Sequence, residues 1–289
     1  MSRQKLTIVV TCTDRKSATP RPELMARNLP RGAVEARARV WTTTVARSQT
    51  TSPLIDLYRG ETWSQVKRLI ATAQDVGFEP DVLVASAGLG LRRLGDAAPA
   101  YAATFSAGHP DSVAVSTAET RAWWRTLPRT SAPVGGRALW VLSETYSRAI
   151  GTDLLDSTAP NELLVFGGSR EIPDAFRIAS DRWLRHALGG TTTSLNLRAA
   201  TQWLTLTRTT DPFAEGAQVL WRDWSERSRH REEYNRKAMV DSAVLEFISG
   251  LRTHDPVISK TRALKLLRDS GLACEQRRFS DLFQQAVAP

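Results

Sequence analysis

Residues 6–17 read LTIVVTCTDRKS, an apolar run that ends in a short polar turn. A short run rich in Val and Ile is typical of a buried strand in a parallel sheet. Comparable runs, each followed by a turn of small or polar residues, lie at residues 81–85, 138–142 and 163–166. Helical patterns separate these runs, the clearest at residues 62–76. The alternation predicts an α/β fold with a mainly parallel sheet and flanking helices.

The chain divides into three predicted regions. Residues 1–170 form the α/β core, which contains the four strand-like runs. Residues 171–237 form a helical extension packed on that core, because residues 172–188 and 195–206 have helical patterns. Residues 238–289 form a small helical module at the end of the chain.

The C-terminal module has the pattern of a DNA-reading motif. Two short helical stretches flank a turn that contains Gly271, and the second stretch begins Glu275-Gln276-Arg277-Arg278. Such a pair, with a basic second helix, predicts helix-turn-helix character. A plain helical cap is the alternative. The residues assigned to nucleic-acid binding are Lys260, Arg262, Gln276, Arg277 and Arg278.

The chain is strongly basic. Its 289 residues include 39 Lys and Arg against 30 Asp and Glu, which gives a net charge of +9. Basic side chains release the counterions condensed on nucleic acid, and this release favours binding. DNA is therefore the predicted partner, with RNA as the alternative. An Arg-rich protein can also be basic without binding nucleic acid, and that interpretation stays open.

Several classes of protein fit the sequence poorly. The two cysteines, Cys12 and Cys274, are too few for a disulfide scaffold and lack the spacing of metal ligands, as do the four histidines. We therefore expect no metal and no organic cofactor. No window approaches the ~20 consecutive apolar residues of a membrane span. The first apolar run is also shorter than a signal-peptide core, so we expect a cytoplasmic protein.

Cys12 is the strongest catalytic candidate, because it directly follows the first predicted strand. Arg15 and Lys16 would favour the thiolate, and Asp14 could transfer protons. Thr13, Arg15 and Lys16 are assigned to substrate binding in the same turn. The alternative is a small residue that packs in the core at the end of a strand. Cys274 is expected to be a core residue.

Three further segments complete the predicted site. The turn at Ser86–Gly90 could present backbone N–H groups to a base or a developing negative charge. His109, in the loop at residues 101–113, could act as acid or base, or could be a surface histidine bonded within its own loop. Aromatic rings could stack on a base that is flipped out of a duplex. The residues assigned here to substrate binding are Tyr58, Trp63, Ser86, Gly88, Gly90, Tyr101, Asp111 and Ser112.

Short motifs in the first part of the chain add a resemblance. Cys12 and Lys16 form a Cys-x3-Lys turn, and Tyr58 and Gly60 form Tyr-x-Gly before a helix. Residues 86–91 then form the pattern Ser-Ala-x-x-Gly-Leu. With this series the chain resembles the YaaA-like group of nucleic-acid-associated proteins, a group that is similar to the core of archaeosine synthase.

The resemblance implies chemistry at a nitrile. Archaeosine synthase acts on the nitrile of 7-cyano-7-deazaguanine in tRNA, and a bacterial relative, DpdC, belongs to gene clusters that insert 7-deazaguanines into DNA. The expected activity is hydration of the cyano base in DNA to the carboxamide through a Cys12 thioimidate, with other proteins of such a cluster as partners. Two alternatives stay open: a non-catalytic DNA-binding or stress protein, and a nucleoside glycosidase or base-exchange enzyme that uses Asp14 and Asp111.

Overall fold

The computed structural model describes residues 3–130, 136–150, 162–230 and 237–287. The chain separates into two compact units, Met1–His230 and Arg231–Pro289. The first unit therefore includes the predicted α/β core and residues 171–230 of the predicted extension, which was predicted to run to residue 237.

The first unit is built from alternating strands and helices. Its strands are β1 (Gln4–Thr11), β2 (Ser52–Pro53), β3 (Phe78–Ser86), β4 (Gly90–Arg93), β5 (Ala97–Ala98), β6 (Ala138–Leu142), β7 (Leu163–Gly167) and β8 (Arg177–Ile178). Its helices are α1 (Val34–Arg47), α2 (Leu54–Leu57), α3 (Glu61–Asp75), α4 (Thr117–Thr126), α5 (Glu144–Ile150), α6 (Arg185–Leu188), α7 (Leu195–Leu206) and α8 (Glu215–Ser228).

Six of these strands form one sheet in the order β4-β3-β1-β6-β7-β8. The pairs are parallel except for β3 with β4, so the predicted α/β class with a mainly parallel sheet is confirmed. The next strand of this sheet along the chain after β1 is β3, which pairs with one edge of β1. The later strand β6 pairs with the opposite edge of β1. The carboxyl end of β1 is thus the point where the strand order reverses, and open α/β sheets bind their ligands in the crevice at such a point.

The residues of β1 explain its place inside the sheet. Leu6, Ile8, Val9 and Val10 are all fully buried, as expected for a strand that is covered on both faces. The helices pack in two groups, α3 with α7 and α1 with α4 and α5. The apolar face predicted for α3 is confirmed, because its Trp63, Val66, Leu69 and Ala73 are buried.

The helix predicted at residues 172–188 is wrong. This segment contains two short 3-10 turns, strand β8 and only the four-residue helix α6. Pro173 directly precedes the first of these turns, Asp174–Phe176, where its fixed φ is well tolerated. The residues of β8 instead pair with Val165 and Phe166 of β7 and complete the edge of the sheet. The second prediction in this region is confirmed, because residues 195–206 form α7.

The second unit is helical, as predicted. Its helices are α9 (Asp241–His254), α10 (Lys260–Asp269) and α11 (Gln276–Val287), and two short strands, β9 (Lys237–Ala238) and β10 (Leu272–Ala273), pair in parallel. Val244, Ile248, Leu267 and Phe279 are fully buried at its centre. Cys274 is 6% exposed, which confirms that it is a core residue. Within the described ranges of both units, no helix has the length and apolar character that crossing a bilayer needs.

Candidate functional site

Cys12 lies directly after β1, at the reversal point of the sheet. Its N–H donates to the carbonyl of Ala85 at the end of β3, at 2.9 Å. Its side chain is partly exposed, and Sγ lies 3.1 Å from the hydroxyl of Tyr146. Tyr146 belongs to α5, the helix that follows β6 on the other side of β1. The thiol is therefore neither walled into the core nor isolated at the surface.

Three buried hydroxyl groups form a chain beside this thiol. The Tyr101 hydroxyl lies 2.5 Å from Ser86 Oγ and 2.8 Å from the hydroxyl of Tyr58. Ser86 Oγ accepts from the N–H groups of Gly88 and Leu89, both at 3.1 Å. These two donors occupy both lone pairs of Ser86 Oγ, so its own proton must go to Tyr101. Tyr101 must then donate to Tyr58, so the hydrogen bonds run from Ser86 through Tyr101 to Tyr58.

The tyrosines around Cys12 are held in their protonated form. Burial raises the pKa of Tyr58, Tyr101 and Tyr146 well above the usual value. The charge of Cys12 raises the pKa of each tyrosine further, which shows that all three hydroxyls are close enough to sense it. At neutral pH these three hydroxyl groups therefore stay protonated and can donate hydrogen bonds.

Lys16 brings the positive charge of the site. Its Nζ lies 4.3 Å from the centre of the Tyr101 ring and donates to the Asp14 carbonyl at 3.0 Å. Burial lowers the pKa of Lys16, and the negative charges of Cys12, Asp14 and Asp111 oppose part of that effect. Lys16 is therefore an ammonium group that gives up its proton more readily than an ordinary lysine.

The lowered pKa predicts how Lys16 affects stability. A lysine whose pKa is lower in the folded state destabilises the fold while it is charged, and this cost fades as pH rises toward the unfolded value of about 10.4. We expect the unfolding free energy of the wild type, relative to that of Lys16→Met, to rise with pH in the alkaline range below about 10.4. Urea titrations of both proteins across that range test this, and a difference that stays flat or falls would contradict it.

The glycines of the turn after β3 serve packing rather than ligand binding. The N–H of Gly88 already donates to Ser86 Oγ, so the prediction that it is free to hold a base or a charge is wrong. A Cβ at Gly88 would collide with the ring of Tyr101, and one at Gly90, where φ is 76°, would collide with the carbonyl of Pro128. Ser86 is fully buried and occupied by the same network.

Gly88→Ala therefore tests the close approach of Tyr101. The added methyl group must displace the buried ring, and such overpacking costs about 1–3 kcal/mol of unfolding free energy. The matched control is Gly95→Ala, because a Cβ at Gly95 meets no atom within 4 Å. Denaturant unfolding of both variants measures the difference. Equal stabilities would mean that Tyr101 does not need this glycine.

Polar groups of the loop at residues 101–113 form hydrogen bonds near one another in sequence and, through Asp111, an ion pair with Arg27. His109 is exposed, and its Nδ1 accepts from the N–H of Asp111 at 3.1 Å. Asp111 is buried and bound by Arg27, whose Nε lies 2.9 Å from Oδ1, and this pairing lowers the pKa of Asp111. Ser112 Oγ donates to the carbonyl of Ala114 at 2.8 Å. These contacts agree with the alternative of a locally bonded surface histidine.

The aromatic rings predicted to stack on a base are buried. Tyr58 and Tyr101 are fully buried and Trp63 is 2% exposed, so the prediction that they stack on a base is wrong. Trp63 instead packs against Tyr58, with ring centres 4.8 Å apart, and donates to the carbonyl of Ile55 at 3.0 Å. The two tyrosines belong to the site through their hydroxyl groups.

The exposed rim of the site is formed by the turn after Cys12. Thr13 Oγ1 donates to the carbonyls of Arg15 and Arg59, at 3.2 and 3.3 Å. Asp14, Arg15 and Arg59 are exposed. Cys12, Thr13, Asp14, Arg15 and Lys16 are therefore brought together with the three hydroxyl groups. His109 and Ser112 instead bond within their own loop, and Asp111 is held by Arg27.

The sequence did not identify Tyr146 as a residue of the site. It follows the polar turn Ser143-Glu144-Thr145, which the sequence marks as the end of a strand. The signal that could have found it is topological, because β6 is the neighbour of β1 and the residues after both strands face the same crevice. Arg59 was missed for a similar reason, since only the chain pairing places it beside Arg15.

The basic residues predicted to bind nucleic acid in the second unit differ in their surroundings. Lys260 donates to Ser280 Oγ at 2.7 Å, Arg278 pairs with Asp241 at 2.5 Å, and Arg262 lies 3.7 Å from Asp255. Gln276 and Arg277 are exposed at the start of α11. All five residues are exposed, so they differ in their contacts and not in their access to solvent.

Within the described ranges, no cluster of three or more His, Cys, Asp or Glu side chains is arranged to hold a metal ion. Comparison with models of known protein families, with curated proteins and with solved structures gives no match. The resemblance to YaaA-like proteins thus stays a prediction, and the chemistry must be argued from the geometry around Cys12.

Proposed function

We propose that this protein is a thiol-dependent enzyme that modifies nucleic acid by hydrating the nitrile of a 7-cyano-7-deazaguanine base in DNA. The observation that carries the proposal is the partly exposed Cys12 thiol at the reversal point of the sheet, 3.1 Å from the Tyr146 hydroxyl and beside Lys16. This arrangement supports a nucleophile with a proton donor and a proton acceptor at hand. The nitrile substrate is taken from the resemblance.

The first step would be addition of sulfur to the nitrile. The Cys12 thiol passes its proton to the oxygen of the Tyr146 hydroxyl, 3.1 Å away, and the ammonium group of Lys16 stabilises the thiolate that forms. The thiolate attacks the nitrile carbon, a C–S bond forms, and one C–N π bond breaks. The nitrogen takes the proton of the Tyr146 hydroxyl while the thiol proton replaces it on the same oxygen, so Tyr146 is neutral before and after the step. The product of this step is a thioimidate on Cys12.

The second step would be hydrolysis of the thioimidate. Asp14, exposed in the same turn, activates a water molecule that adds to the thioimidate carbon. Asp14 passes the first proton of this water to the imidate nitrogen. The tetrahedral intermediate then collapses to the carbonyl, the C–S bond breaks, and the hydroxyl proton returns to the departing Cys12 sulfur. The base becomes a carboxamide. The sum of both steps is addition of one water without oxidation or reduction.

The experiment is mass spectrometry of nucleosides from cyano-base DNA after incubation with the protein. We expect a carboxamide nucleoside heavier by one water, which takes its oxygen from labelled water. An acid quench should also capture DNA bound covalently to the chain. DNA that is bound but unchanged would indicate the non-catalytic alternative. Loss of the base from the sugar would indicate a glycosidase, although the pairing of Asp111 with Arg27 leaves that alternative without a free pair of carboxylates.

The second unit would contribute to DNA recognition under the same proposal. In a helix-turn-helix, residues at the start of the second helix contact base edges in the major groove. Gln276 and Arg277 are exposed at that position of α11, after the turn at Gly271, where φ is 78°. If this unit is a helix-turn-helix, as proposed, these two side chains would contact base edges.

A further inference from the structure

The turn after Cys12 pairs with the segment that precedes α3. Lys16 and Tyr58 form an antiparallel bridge, flanked by hydrogen bonds from Ser17 N–H to Leu57 O at 2.8 Å and from Arg59 N–H to Arg15 O at 3.0 Å. This register places Arg15 opposite Arg59. Because side chains alternate along extended strands, Lys16 and Tyr58 point to the buried side and the two arginines point outward.

This arrangement brings two like charges together. Arginines directly opposite each other on paired strands repel, which is unfavourable unless an anion lies between them. Neither Arg15 nor Arg59 forms an ion pair with a carboxylate of the described residues. Glu61, the next carboxylate along the chain after Arg59, is instead held by Arg198 at 2.6 Å.

The pair is also held in place. The Thr13 hydroxyl donates to the carbonyls of both arginines, which ties the two segments together. A Cβ at Gly60 would lie 3.3 Å from Cδ of Arg15, so the Arg15 side chain rests over this glycine. Two guanidinium groups are thereby presented at the exposed rim, in the same turn as the Cys12 nucleophile.

We propose that Arg15 and Arg59 together bind one phosphodiester group of a nucleic-acid strand, next to the nucleotide that is presented to Cys12. Guanidinium groups match phosphate oxygens with paired N–H donors, so two of them can hold one phosphate from both sides. This inference deepens the proposed function and rests on it for the chemistry. It implies that the enzyme acts on a base within a polymer and not on the free nucleoside.

The test is the salt dependence of binding between the full chain and a fluorescently labelled single-stranded oligonucleotide. Each phosphate contact to a single strand contributes about 0.7 to the slope of log affinity against log salt. We expect Arg15→Gln/Arg59→Gln to make this negative slope shallower by about 0.7 and to weaken binding by about tenfold at low salt. The matched control is Arg3→Gln/Lys5→Gln, which removes the same charge from exposed residues at the other end of β1, about 20 Å away.

The control variant should keep the wild-type slope. Equal slopes for the wild type and Arg15→Gln/Arg59→Gln would overturn the inference, and so would equal losses in both double variants, since these would indicate a diffuse field of charge. The outcome is separable from the proposed chemistry. If DNA binding needs both arginines but no carboxamide product forms, only the proposed function is refuted. Wild-type conversion of cyano-base DNA by Arg15→Gln/Arg59→Gln would refute only this inference.

Discussion

Replacing Cys12 by alanine is expected to lower the rate of carboxamide formation by at least ~10³-fold, because loss of a covalent nucleophile removes a whole catalytic route. The thiol is partly exposed, so the substitution should leave the fold intact. The measurement is single-turnover conversion of cyano-base DNA, followed by nucleoside mass spectrometry. Cys12→Ala should also fail to form the covalent complex that an acid quench captures.

Two matched variants sharpen this experiment. Cys274→Ala removes the other thiol, which lies buried in the second unit, and should convert the base at the wild-type rate. Cys12→Ser keeps a hydrogen-bonding group beside Tyr146 but replaces the thiol with a far weaker nucleophile, so it should be nearly as slow as Cys12→Ala. Conversion by Cys12→Ala at the wild-type rate would exclude the thioimidate.

Tyr146→Phe is expected to have the second largest effect. The substitution removes only the hydroxyl that contacts Cys12 Sγ and keeps the ring that packs against Phe105, with ring centres 5.0 Å apart. A positioned proton donor contributes about 10²–10⁴-fold to a rate, so we expect kcat to fall by ~10²-fold or more. KM should change much less, because in the proposed mechanism this hydroxyl serves the reacting nitrile and not the phosphate backbone.

A second tyrosine separates catalysis from architecture. Tyr101→Phe leaves the Ser86 proton without its acceptor inside the core, which costs about 1–3 kcal/mol of unfolding free energy. It should therefore lower stability, whereas Tyr146→Phe should chiefly lower kcat. Denaturant unfolding and single-turnover rates on both variants give the comparison. A stable Tyr146→Phe protein with unchanged kcat would remove Tyr146 from the mechanism.

The local sequence determined the elements that carry the site. Short Val-rich runs predict the central strands because only such residues suit a strand covered on both faces, and these runs became β1, β3, β6 and β7. The turn with Cys12 and Lys16 follows directly from the end of β1, so its place at the edge of the sheet was predictable. From composition, a polyanionic partner stays a prediction.

Tertiary pairing decided which groups meet at that turn. Tyr146 lies 134 positions from Cys12 along the chain, and only the placement of β6 beside β1 brings its hydroxyl to the sulfur. Arg59 faces Arg15 because the backbone register of two distant segments sets it there. Within the segment 172–188, residues 177–178 likewise form β8 because they pair with Val165 and Phe166 of β7.

The roles of Gly88 and the two inner tyrosines were also beyond local reasoning. A glycine turn after a strand has the same sequence pattern whether its N–H groups face a ligand or a buried serine. Here Ser86 accepts from that turn and Tyr101 fills the space above Gly88. Residue types and their order along the chain thus determined the strands and the place of Cys12 after the first of them. Close packing between segments far apart in sequence decided which hydrogen bonds surround it, because those bonds exist only once the sheet has brought the segments together.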